Sequence, residues 1–272
     1  MEIPFTKMHG NGNDFILIDE FEKTVIPDDM KGQFAASYCD RRFGIGADGV
    51  IYLSKSEKSG LKMRILQPDE SEAEMCGNGI RCLAKYAFDK KYAKESCTVE
   101  TPAGEVGVAM GYKEDEFSAT ITMPVPKFDR KDVPATGEGE YKEKIGEYEV
   151  YAVNTGVPHA VIFVDDVESV DIAAVAPAIR HHASFPNGAN VNFVQKGTGD
   201  SITIRTFERG VEAETLSCGT GATASAAMAH KLGFAGTTVH VETNGGPLTI
   251  TLDSGAKMEG PATTVFAGFI TF

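Results

Sequence analysis

One cysteine motif occurs twice in the chain, and the spacing of its two copies constrains the fold more than any other feature of the sequence. Cys76 begins Cys76-Gly77-Asn78-Gly79, and Cys218 begins Cys218-Gly219-Thr220-Gly221. The separation from Cys76 to Cys218, the repeat offset, also aligns Val99-Glu100-Thr101 with Val241-Glu242-Thr243, and a Glu-Ala-Glu triplet precedes each cysteine. The pattern therefore predicts an internal duplication into two related halves, each presenting one thiol.

The duplication predicts the same order of elements in each half: strands, the Cys-Gly-x-Gly turn, one helix and a hairpin. The two helices are expected at Ile80–Lys91 and Ala222–Leu232, and Gly233 supplies a C-terminal stop for the second. Strands are expected at several apolar runs punctuated by Gly, Pro and Asn: Phe15–Ile18, Val50–Leu53, Val161–Val164, Val191–Val194, Ile202–Ile204 and Leu248–Leu252.

This order of elements predicts an α+β fold of two pseudo-symmetric domains. Each domain is expected to wrap a mainly antiparallel sheet around a central helix, with the site in the cleft. The first domain is predicted to span residues 1–118 and to be joined by a C-terminal strand at 265–272, and the second to span residues 119–264. Residues 126–148, rich in Lys, Glu and Gly, are expected to form exposed hairpins.

Size and charge exclude several classes of protein. A chain of 272 residues is comfortable as two domains of average size. Its net charge of −13 disfavours nucleic acid, because phosphate binding needs clustered Lys and Arg. No apolar run approaches the roughly 20 residues of a membrane span, and the N-terminus lacks a secretory signal pattern. We therefore expect a cytoplasmic protein that binds neither nucleic acid nor membrane.

The remaining cysteines and glycines favour structural roles. Five cysteines are an odd number without a CxxC pair, so neither a disulfide framework nor a structural metal site is expected. Cys39, Cys82 and Cys97 have no counterpart at the repeat offset, so we interpret them as packing residues. Gly44–Gly49 matches GxGxxG, but a strand-like run follows it instead of a helix, which indicates a turn and not a dinucleotide site.

A cysteine directly before a helix is well placed for acid–base chemistry. The helix N-terminus offers unpaired backbone N–H groups and a partial positive charge. Glycine lets the backbone approach a ligand closely, so these donors suit a carboxylate. The same field stabilises a thiolate, because the usual cysteine pKa of ~8.5 can fall to roughly 3.5–7.5 at a helix N-terminus.

Two such motifs facing one another would hold a carboxylate between two sets of donors. One thiolate could then remove the α-proton while the opposite thiol protonates the other face, which inverts the carbon. Negative charge developing in the carboxylate would be stabilised by fixed donors, each typically contributing ~2.7–4 kcal/mol in other enzymes. Nothing in the sequence marks the lysine and phosphate cup of a pyridoxal-phosphate enzyme, so no cofactor is expected.

These motifs and several others resemble the diaminopimelate epimerase family over nearly the whole chain. The shared segments, besides the two cysteine motifs, are Lys7–Phe15, Gly44–Gly49, Asn154–His159, Phe185–Asn190, Glu208–Gly210 and Gly268–Phe272. The resemblance implies a cofactor-independent epimerase that interconverts LL- and meso-diaminopimelate for lysine and cell-wall precursors. It also implies a pseudo-symmetric α+β fold, usually assembled as a homodimer.

The resemblance also implies roles for individual residues. Cys76 and Cys218 would be the acid–base pair, and the backbone amides of Gly77-Asn78 and Gly219-Thr220 would bind the reacting carboxylate. Arg209 would suit the distal carboxylate of the substrate and Glu208 its distal ammonium. The remaining predicted substrate contacts are Asn13, Gln67 and Asn190, while His159 and Asn154 are assigned supporting roles.

Three positions depart from patterns common in the family. Gln67 stands where Asn is common, Val157 where Asn often precedes Pro-His, and Gly49 where some members carry Gln. Gln67 keeps a hydrogen-bonding amide on a longer side chain. Val157 has none, and Asn154 is a possible substitute. The departures concern contacts to the distal part of the substrate and not the two thiols.

Other functions stay open from the residues alone. A proline-racemase-like enzyme usually has His after the first Cys-Gly, where this chain has Asn78. Phenazine-pathway isomerases share the fold but lack the thiol pair. A cysteine hydrolase would need one thiol with a histidine base, but duplicated thiols have no purpose there and no histidine follows the duplication. His159 could be a catalytic base, but the two thiols already fill both proton-transfer roles, so a supporting role is preferred. A binding module that retains the thiols without catalysis is the remaining alternative.

Overall fold

The computed structural model describes residues 2–272. The chain divides into two compact units. Unit 1 comprises Met1–Ile121 together with Gly260–Phe272, and unit 2 comprises Thr122–Glu259.

Within residues 2–272 the strands alternate with short turns and with four α-helices. Unit 1 begins with β1 (Glu2–Gly10), β2 (Asn13–Glu20), β3 (Gly49–Ser56), β4 (Gly60–Leu66), β5 (Glu72–Ala73), β6 (Ser96–Thr101), β7 (Gly104–Lys113) and β8 (Glu116–Met123). The following strands are β9 (Lys142–Ile145), β10 (Tyr148–Asn154), β11 (Pro158–Val164), β12 (Asn190–Lys196), β13 (Ser201–Glu208), β14 (Ala213–Thr215), β15 (Thr238–Thr243), β16 (Gly246–Thr251), β17 (Ala256–Pro261) and β18 (Thr263–Thr271). The helices are α1 (Lys31–Tyr38), α2 (Gly77–Asp89), α3 (Ile172–Arg180) and α4 (Gly219–Lys231), and a 3₁₀ turn at Asp28–Met30 precedes α1.

The order of strand pairing is the same in the two units. In unit 1, β2 and β3 are parallel, β3 and β4 antiparallel, β4 and β6 parallel, and β6 and β7 antiparallel. In unit 2, the same sequence of directions joins β11, β12, β13, β15 and β16. Val99 pairs with Val106 and Val241 with Leu248, so this hairpin recurs at the repeat offset. The α+β fold expected from the duplication is confirmed.

A central helix packs against the sheet in each unit. In α2 the side chains of Ile80, Leu83 and Ala87 are fully buried, and the helix contacts β1, β2, β3, β4 and β7. In α4 every position from Gly221 to Ala229 is buried, and the helix contacts β10–β13, β15 and β16. A helix that is apolar on all sides belongs in a core, which explains the run of alanines in α4.

The opposite face of each sheet carries a second, smaller helix. In unit 1, Phe34 of α1 packs in one cluster with Ile16, Ile18, Val50 and Tyr52. In unit 2, α3 packs in the same way: Ile172, Ala176, Ile162, Val191 and Phe193 form one cluster. Alternate residues of a strand point to opposite faces of its sheet, so one sheet can serve both helices.

The two helices predicted after the cysteines are confirmed, and each begins three residues earlier than expected, at Gly77 and Gly219. Gly233 follows α4 with φ of +74°, a conformation suited to the end of a helix. Gly44–Gly49 is a turn that runs into β3, as predicted. Neither α1 nor α3 was predicted from the sequence.

For residues 126–148 the expected hairpin is confirmed, but the expectation that the segment is exposed is wrong. β9 does form a hairpin with β10, but Val133, Tyr141 and Ile145 are buried in the core of unit 2. These apolar side chains are spread singly among Lys, Glu and Gly, so composition concealed them. At the other end of the chain, β18 pairs antiparallel with β1 within unit 1.

Candidate active site

Each cysteine motif places its cysteine at the N-terminus of a central helix. Cys76 is the residue before α2, with φ −140° and ψ 114°, and Cys218 is the residue before α4, with φ −119° and ψ 108°. The carbonyl of Cys76 accepts from Ile80 N at 2.9 Å, and that of Cys218 accepts from Ala222 N at 2.8 Å. Both thiols are therefore carried at a site where backbone N–H groups and the helix dipole favour negative charge.

The last glycine of each motif lies where a side chain would collide with the sheet. A Cβ on Gly79 would stand 2.9 Å from Cδ1 of Ile65. A Cβ on Gly221 would stand 2.4 Å from Oδ1 of Asn192 and 3.3 Å from Oγ1 of Thr206. Close packing of helix on sheet explains these glycines, and it sets the depth at which each cysteine lies.

In unit 1 the thiol of Cys76 lies among amide side chains. Its Sγ is 3.4 Å from Oδ1 of Asn13, and Nδ2 of Asn78 donates to that oxygen at 3.3 Å. Nδ2 of Asn13 donates to the carboxylate of Asp48 at 2.6 Å. The structure thus brings together Cys76, Asn13 and Asn78, three of the residues singled out in the sequence, and adds Asp48.

Gln67 and Gly49 are placed differently from this cluster. Gln67 is exposed in the turn after β4, where its backbone N donates to Ser71 O at 2.8 Å and its side-chain oxygen accepts from Ser71 Oγ at 2.9 Å. Gly49 starts β3, and a Cβ there would lie 3.1 Å from the carbonyl oxygen of Leu66. The glycine therefore serves close strand packing.

In unit 2 the thiol of Cys218 lies beside a hydroxyl. Its Sγ is 3.4 Å from Oγ1 of Thr220, and either atom could be the donor. The carbonyl of Thr220 accepts from Oγ1 of Thr155 at 2.9 Å, and Thr155 is fully buried. Thr155, which the sequence analysis did not single out, thus ties the first turn of α4 to the loop before β11.

Among the predicted substrate contacts of unit 2, Asn190 is hydrogen-bonded to the backbone on both sides. Its Oδ1 accepts from the backbone N of Arg209 at 2.7 Å, and its Nδ2 donates to the carbonyl of Pro158 at 3.4 Å. The guanidinium of Arg209 donates to the carbonyl of Asn187 at 3.3 Å. Glu208 ends β13, and its carboxylate accepts from Oγ1 of Thr215 at 2.9 Å.

His159 is completely buried at the start of β11. The pKa of its imidazole is lowered to about 3, chiefly by burial and also by the charge of Arg209, and the hydrogen bond with Asn192 opposes both. The amide of Asn192 donates to Ala160 O at 3.0 Å and lies 3.1 Å from Nδ1 of His159. An imidazole with so low a pKa is a weak base, and it is also inaccessible, which together disfavour its use as the base of a cysteine hydrolase.

Asn154 is the last residue of β10, and Val157 lies in the loop between β10 and β11. The amide of Asn154 donates to Asp132 O at 2.7 Å and accepts from Gly156 N at 2.8 Å. Both ends of the Asn154 side chain are thus used to shape the loop. Val157 is half-buried, and its carbonyl accepts from Thr155 N at 3.3 Å.

One ion pair occurs in both halves and was not predicted from the sequence. Arg64 binds Glu72 before the first cysteine, and Arg205 binds Glu214 before the second. The two glutamates are separated by the repeat offset, but the two arginines lie one position closer together, so a single displacement does not align both partners. An alignment allowing a slip of one position would have revealed them.

Within residues 2–272, no group of three or more His, Cys, Asp or Glu side chains is placed to hold a metal ion. The same stretch contains no helix with the length and apolar character needed to cross a membrane.

Comparison with known proteins adds sequence relatives that cover the whole chain. The family model described as diaminopimelate epimerase matches residues 5–126 and 151–265. The chain is 52% identical to the diaminopimelate epimerase of Methanothrix thermoacetophila, over 99% of this chain and 96% of that protein. It is 54% identical to the diaminopimelate epimerase of Methanocella arvoryzae, over 99% and 97% of the two chains.

Solved structures match at much lower identity and bear on the fold alone. A phenazine biosynthesis protein of the PhzF family from Bacillus anthracis superimposes with a TM-score of 0.74 at 15% identity, over 100% of both chains. A hydroxyproline epimerase from Agrobacterium vitis superimposes with a TM-score of 0.67 at 17% identity, over 99% of this chain and 91% of that one.

Proposed function

The chain belongs to the diaminopimelate epimerase family, and we propose that it interconverts LL- and meso-diaminopimelate without a cofactor, through Cys76 and Cys218. The enzyme is an isomerase, and its place in lysine biosynthesis follows from this substrate. The assignment of Cys76 and Cys218 rests on their repeated geometry. Each cysteine lies at the N-terminus of a central helix, and the two have similar backbone angles.

The reaction needs one acid–base group for each face of the α-carbon. A thiolate takes the α-proton, which breaks the Cα–H bond and forms an S–H bond. The second thiol gives its proton to the opposite face, so the configuration inverts and the two sulfurs exchange their protonation states. Acid–base groups placed in this way typically contribute 10²–10⁴-fold in rate.

The backbone amides of Gly77-Asn78 and Gly219-Thr220 are our candidates for binding the reacting carboxylate. They belong to the first turns of α2 and α4, where N–H groups have no partner within the helix. Negative charge spreads into the carboxylate as the proton leaves, so these donors act most strongly in the transition state. This is the principal source of stabilisation that the proposal assigns to the chain.

The distal amino-acid group of the substrate would be bound by a second set of side chains. Arg209 suits the distal carboxylate, because a guanidinium binds a carboxylate through two donors, and Glu208 suits the distal ammonium. The hydrogen bond from Arg209 N to Asn190 supports this, since it fixes the backbone that carries the guanidinium. Asn13 and Gln67 complete the proposed substrate contacts. His159 and Asn154 are proposed to support the residues that bind the substrate.

We also propose that the two compact units correspond to the two duplicated domains, and that the chain functions as a cytoplasmic homodimer. β18 supports an association of two copies, because it exposes Val265, Phe266 and Phe269 on one strand next to β1. Phe269 is 73% exposed, unusual for a large apolar side chain. Sedimentation of the wild type and of Phe269→Asp would test this, and an unchanged dimer in the variant would exclude β18 as the contact.

Deuterated water provides the sharpest test of the reaction. Incubation of LL-diaminopimelate with the chain alone should produce the meso form with one deuterium at the inverted α-carbon, because each proton returned comes from a thiol that exchanges with solvent. Cys76→Ser and Cys218→Ser should each lose turnover. Turnover without label, or full activity in either serine variant, would refute the two-thiol assignment.

Activity assays on simpler amino acids and on chromogenic esters would distinguish the rival functions. Proline or hydroxyproline racemisation with no activity on diaminopimelate would favour a proline-racemase-like enzyme. Hydrolysis of chromogenic esters would favour a hydrolase, although the burial and the lowered pKa of His159 argue against it. Substrate binding without turnover would leave a binding module.

A further inference from the structure

Asn13 has different partners at the two ends of its side-chain amide. One end lies 2.6 Å from Oδ2 of Asp48. The other lies 3.4 Å from Sγ of Cys76 and 3.3 Å from Nδ2 of Asn78. The same oxygen of Asp48 also accepts from the backbone N of Asp14 at 3.2 Å.

The chemistry of Asp48 decides which end of the amide faces the thiol. An ionised carboxylate only accepts hydrogen bonds, so it must face the NH₂ group of Asn13. The oxygen of Asn13 then points at Cys76, where it can only accept. This favours the protonated form of Cys76, whose Sγ lies 3.4 Å from the oxygen, because a thiolate would face an oxygen of like partial charge.

We propose that Asp48 is a positioning residue for the reaction: it fixes the Asn13 amide with its oxygen toward Cys76 and so stabilises the protonated form of that thiol. The catalytic meaning of this rests on the proposed function, in which one cysteine must start as acid. Asp48 does not touch the substrate in this proposal and acts only through Asn13.

The second thiol has a neighbour of another kind. Sγ of Cys218 lies 3.4 Å from the hydroxyl of Thr220, which can donate as well as accept. A hydroxyl can turn its proton toward a thiolate, whereas the fixed oxygen of Asn13 cannot. The duplicated motif thus carries two chemically different thiol environments, and Asp48 accounts for the one at Cys76.

Other charged groups surround this arrangement and must be kept constant in any test. Nη2 of Arg41 donates to Asp48 Oδ1 at 2.8 Å and to Asp14 Oδ1 at 2.7 Å, and Lys7 pairs with Asp14 at 2.5 Å. Arg81 on α2 is fully buried and carries a charge that favours a Cys76 thiolate, which opposes the effect of Asn13. Substitution of Asp48 leaves Arg81, Asp14 and Lys7 in place.

Two variants separate the position of Asn13 from the charge of Asp48. Asp48→Asn removes the charge but keeps an amide oxygen that can accept from Asn13. Asp48→Ala removes the charge and the acceptor, so the Asn13 amide, then held only by the longer hydrogen bond from Asn78 Nδ2 at 3.3 Å, can turn its NH₂ group toward a Cys76 thiolate. The measurement is the rate of iodoacetamide alkylation of the Cys76 peptide at several pH values, followed by mass spectrometry.

Asp48→Ala should be alkylated at Cys76 about fivefold faster than the wild type near neutral pH, the size expected for one ordinary hydrogen bond. Asp48→Asn should stay within about twofold of the wild type, as expected for a variant that keeps the bond. Equal acceleration in both variants would mean a charge effect and overturn the proposal, and so would no acceleration in either.

A double-mutant cycle with Asn13→Ala gives an independent check. If Asp48 acts through Asn13, Asp48→Ala should have no further effect on Cys76 alkylation in the Asn13→Ala background, and a full effect there would refute the route. Asp48→Ser replaces Asp48→Ala should the alanine chain fail to fold, because its short side chain does not reach Asn13. Alkylation needs no substrate, so these results stand even if the chain proves inactive on diaminopimelate.

Discussion

Arg64 on β4 binds Glu72 on β5 through two hydrogen bonds, from Nε to Oε1 at 2.8 Å and from Nη2 to Oε2 at 2.9 Å. Glu72 lies four residues before Cys76. A bidentate pair of this kind fixes the direction as well as the distance of its partners. The segment that leads into the first cysteine is therefore tied back to the strand from which it departs.

The same contact recurs in unit 2. Nε and Nη2 of Arg205 donate to the two carboxylate oxygens of Glu214 at 2.7 and 2.8 Å, and Glu214 lies four residues before Cys218. Arg205 also donates to the carbonyls of Val167 and Val170, which anchors it from the other side. In both halves, therefore, a bidentate Arg–Glu ion pair holds the segment that leads into the cysteine, although the residues around the two pairs differ.

We predict that Glu72→Gln and Glu214→Gln each lower kcat/KM, by roughly three- to tenfold, if displacement of the thiol costs about as much as one hydrogen bond. The stability of the fold should change little, because partly exposed ion pairs contribute ~0.2–1 kcal/mol. Steady-state kinetics and thermal unfolding would measure the two effects separately.

Glu100→Gln is the matched control for that pair of variants. Glu100 pairs with Lys62 at 3.1 Å between β6 and β4 of unit 1, so this ion pair does not include a residue of the segment before Cys76. It should lose a similar ion pair without the loss of kcat/KM. Equal losses in Glu100→Gln and Glu72→Gln would show that the pair before Cys76 has no special part in placing the thiol.

The last glycines of the two motifs should differ in their tolerance of alanine. A Cβ on Gly221 would meet polar atoms of Asn192 and Thr206, which hold one another at 3.0 Å, whereas a Cβ on Gly79 would meet the terminal methyl of Ile65. A methyl group at the end of a side chain moves more easily than a buried polar pair. We predict that Gly221→Ala destabilises the fold by more than Gly79→Ala, within the ~1–3 kcal/mol usual for overpacking.

Urea denaturation of both variants would test this order. Gly111→Ala serves as control, because it lies on β7, and a Cβ there would meet nothing within 4 Å. Gly111→Ala should change the free energy of unfolding much less than Gly221→Ala. A larger effect at Gly79 than at Gly221 would contradict the packing argument.

The repeated motif allowed the central helices and the fold class to be predicted, because a constant offset between two copies is visible without any knowledge of tertiary contacts. It could not reveal Asp48, whose importance lies in a contact to Asn13, a residue distant in sequence. The helix α3 was missed because Pro177 interrupts its pattern, although Asp171 caps it by accepting from Ala174 N at 3.1 Å. Val133 and Tyr141 were missed because isolated apolar residues show no periodicity.

The other three cysteines should be inert, as their interpretation as packing residues implies. Burial raises the pKa of the Cys39 thiol to about 12, of Cys82 to about 12 and of Cys97 to about 11. A thiol with such a pKa is almost wholly protonated at pH 8 and reacts slowly, because the thiolate is the nucleophile. Iodoacetamide at pH 8 should therefore modify the native chain at Cys76 and Cys218 well before these three, as peptide mass spectrometry would show.

Cys97→Ser extends that prediction to activity. Cys97 lies on β6, outside the cysteine motifs, so the variant should keep kcat/KM within about twofold, while Cys76→Ser should lose at least the 10²-fold typical of an acid–base group. Comparable losses in the two variants would contradict the division into reactive and packing thiols.

His159 should make the stability of the fold depend on pH. Its pKa in the folded chain is lowered to about 3, chiefly by burial, whereas an unfolded histidine titrates near 6.5. Between these pH values the unfolded chain binds more protons than the folded one, so lowering the pH favours unfolding. The contribution of His159 to the free energy of unfolding is therefore fully present above pH ~6.5. It is lost as the pH falls toward 3, by up to ~1.4 kcal/mol for each pH unit.

His159→Asn should therefore weaken the decline in the free energy of unfolding between pH 7 and pH 4.5, even if the variant is less stable than the wild type at pH 7. Urea denaturation at several pH values would measure the slopes, and carboxylates that titrate in this range contribute equally to both chains. His240→Asn is the control, because His240 is exposed on β15 and its loss should leave the slope almost unchanged. If His159→Asn and the wild type declined in parallel, the imidazole would take up its proton equally in the folded and unfolded chains, and a role for His159 in proton transfer would have to be reconsidered.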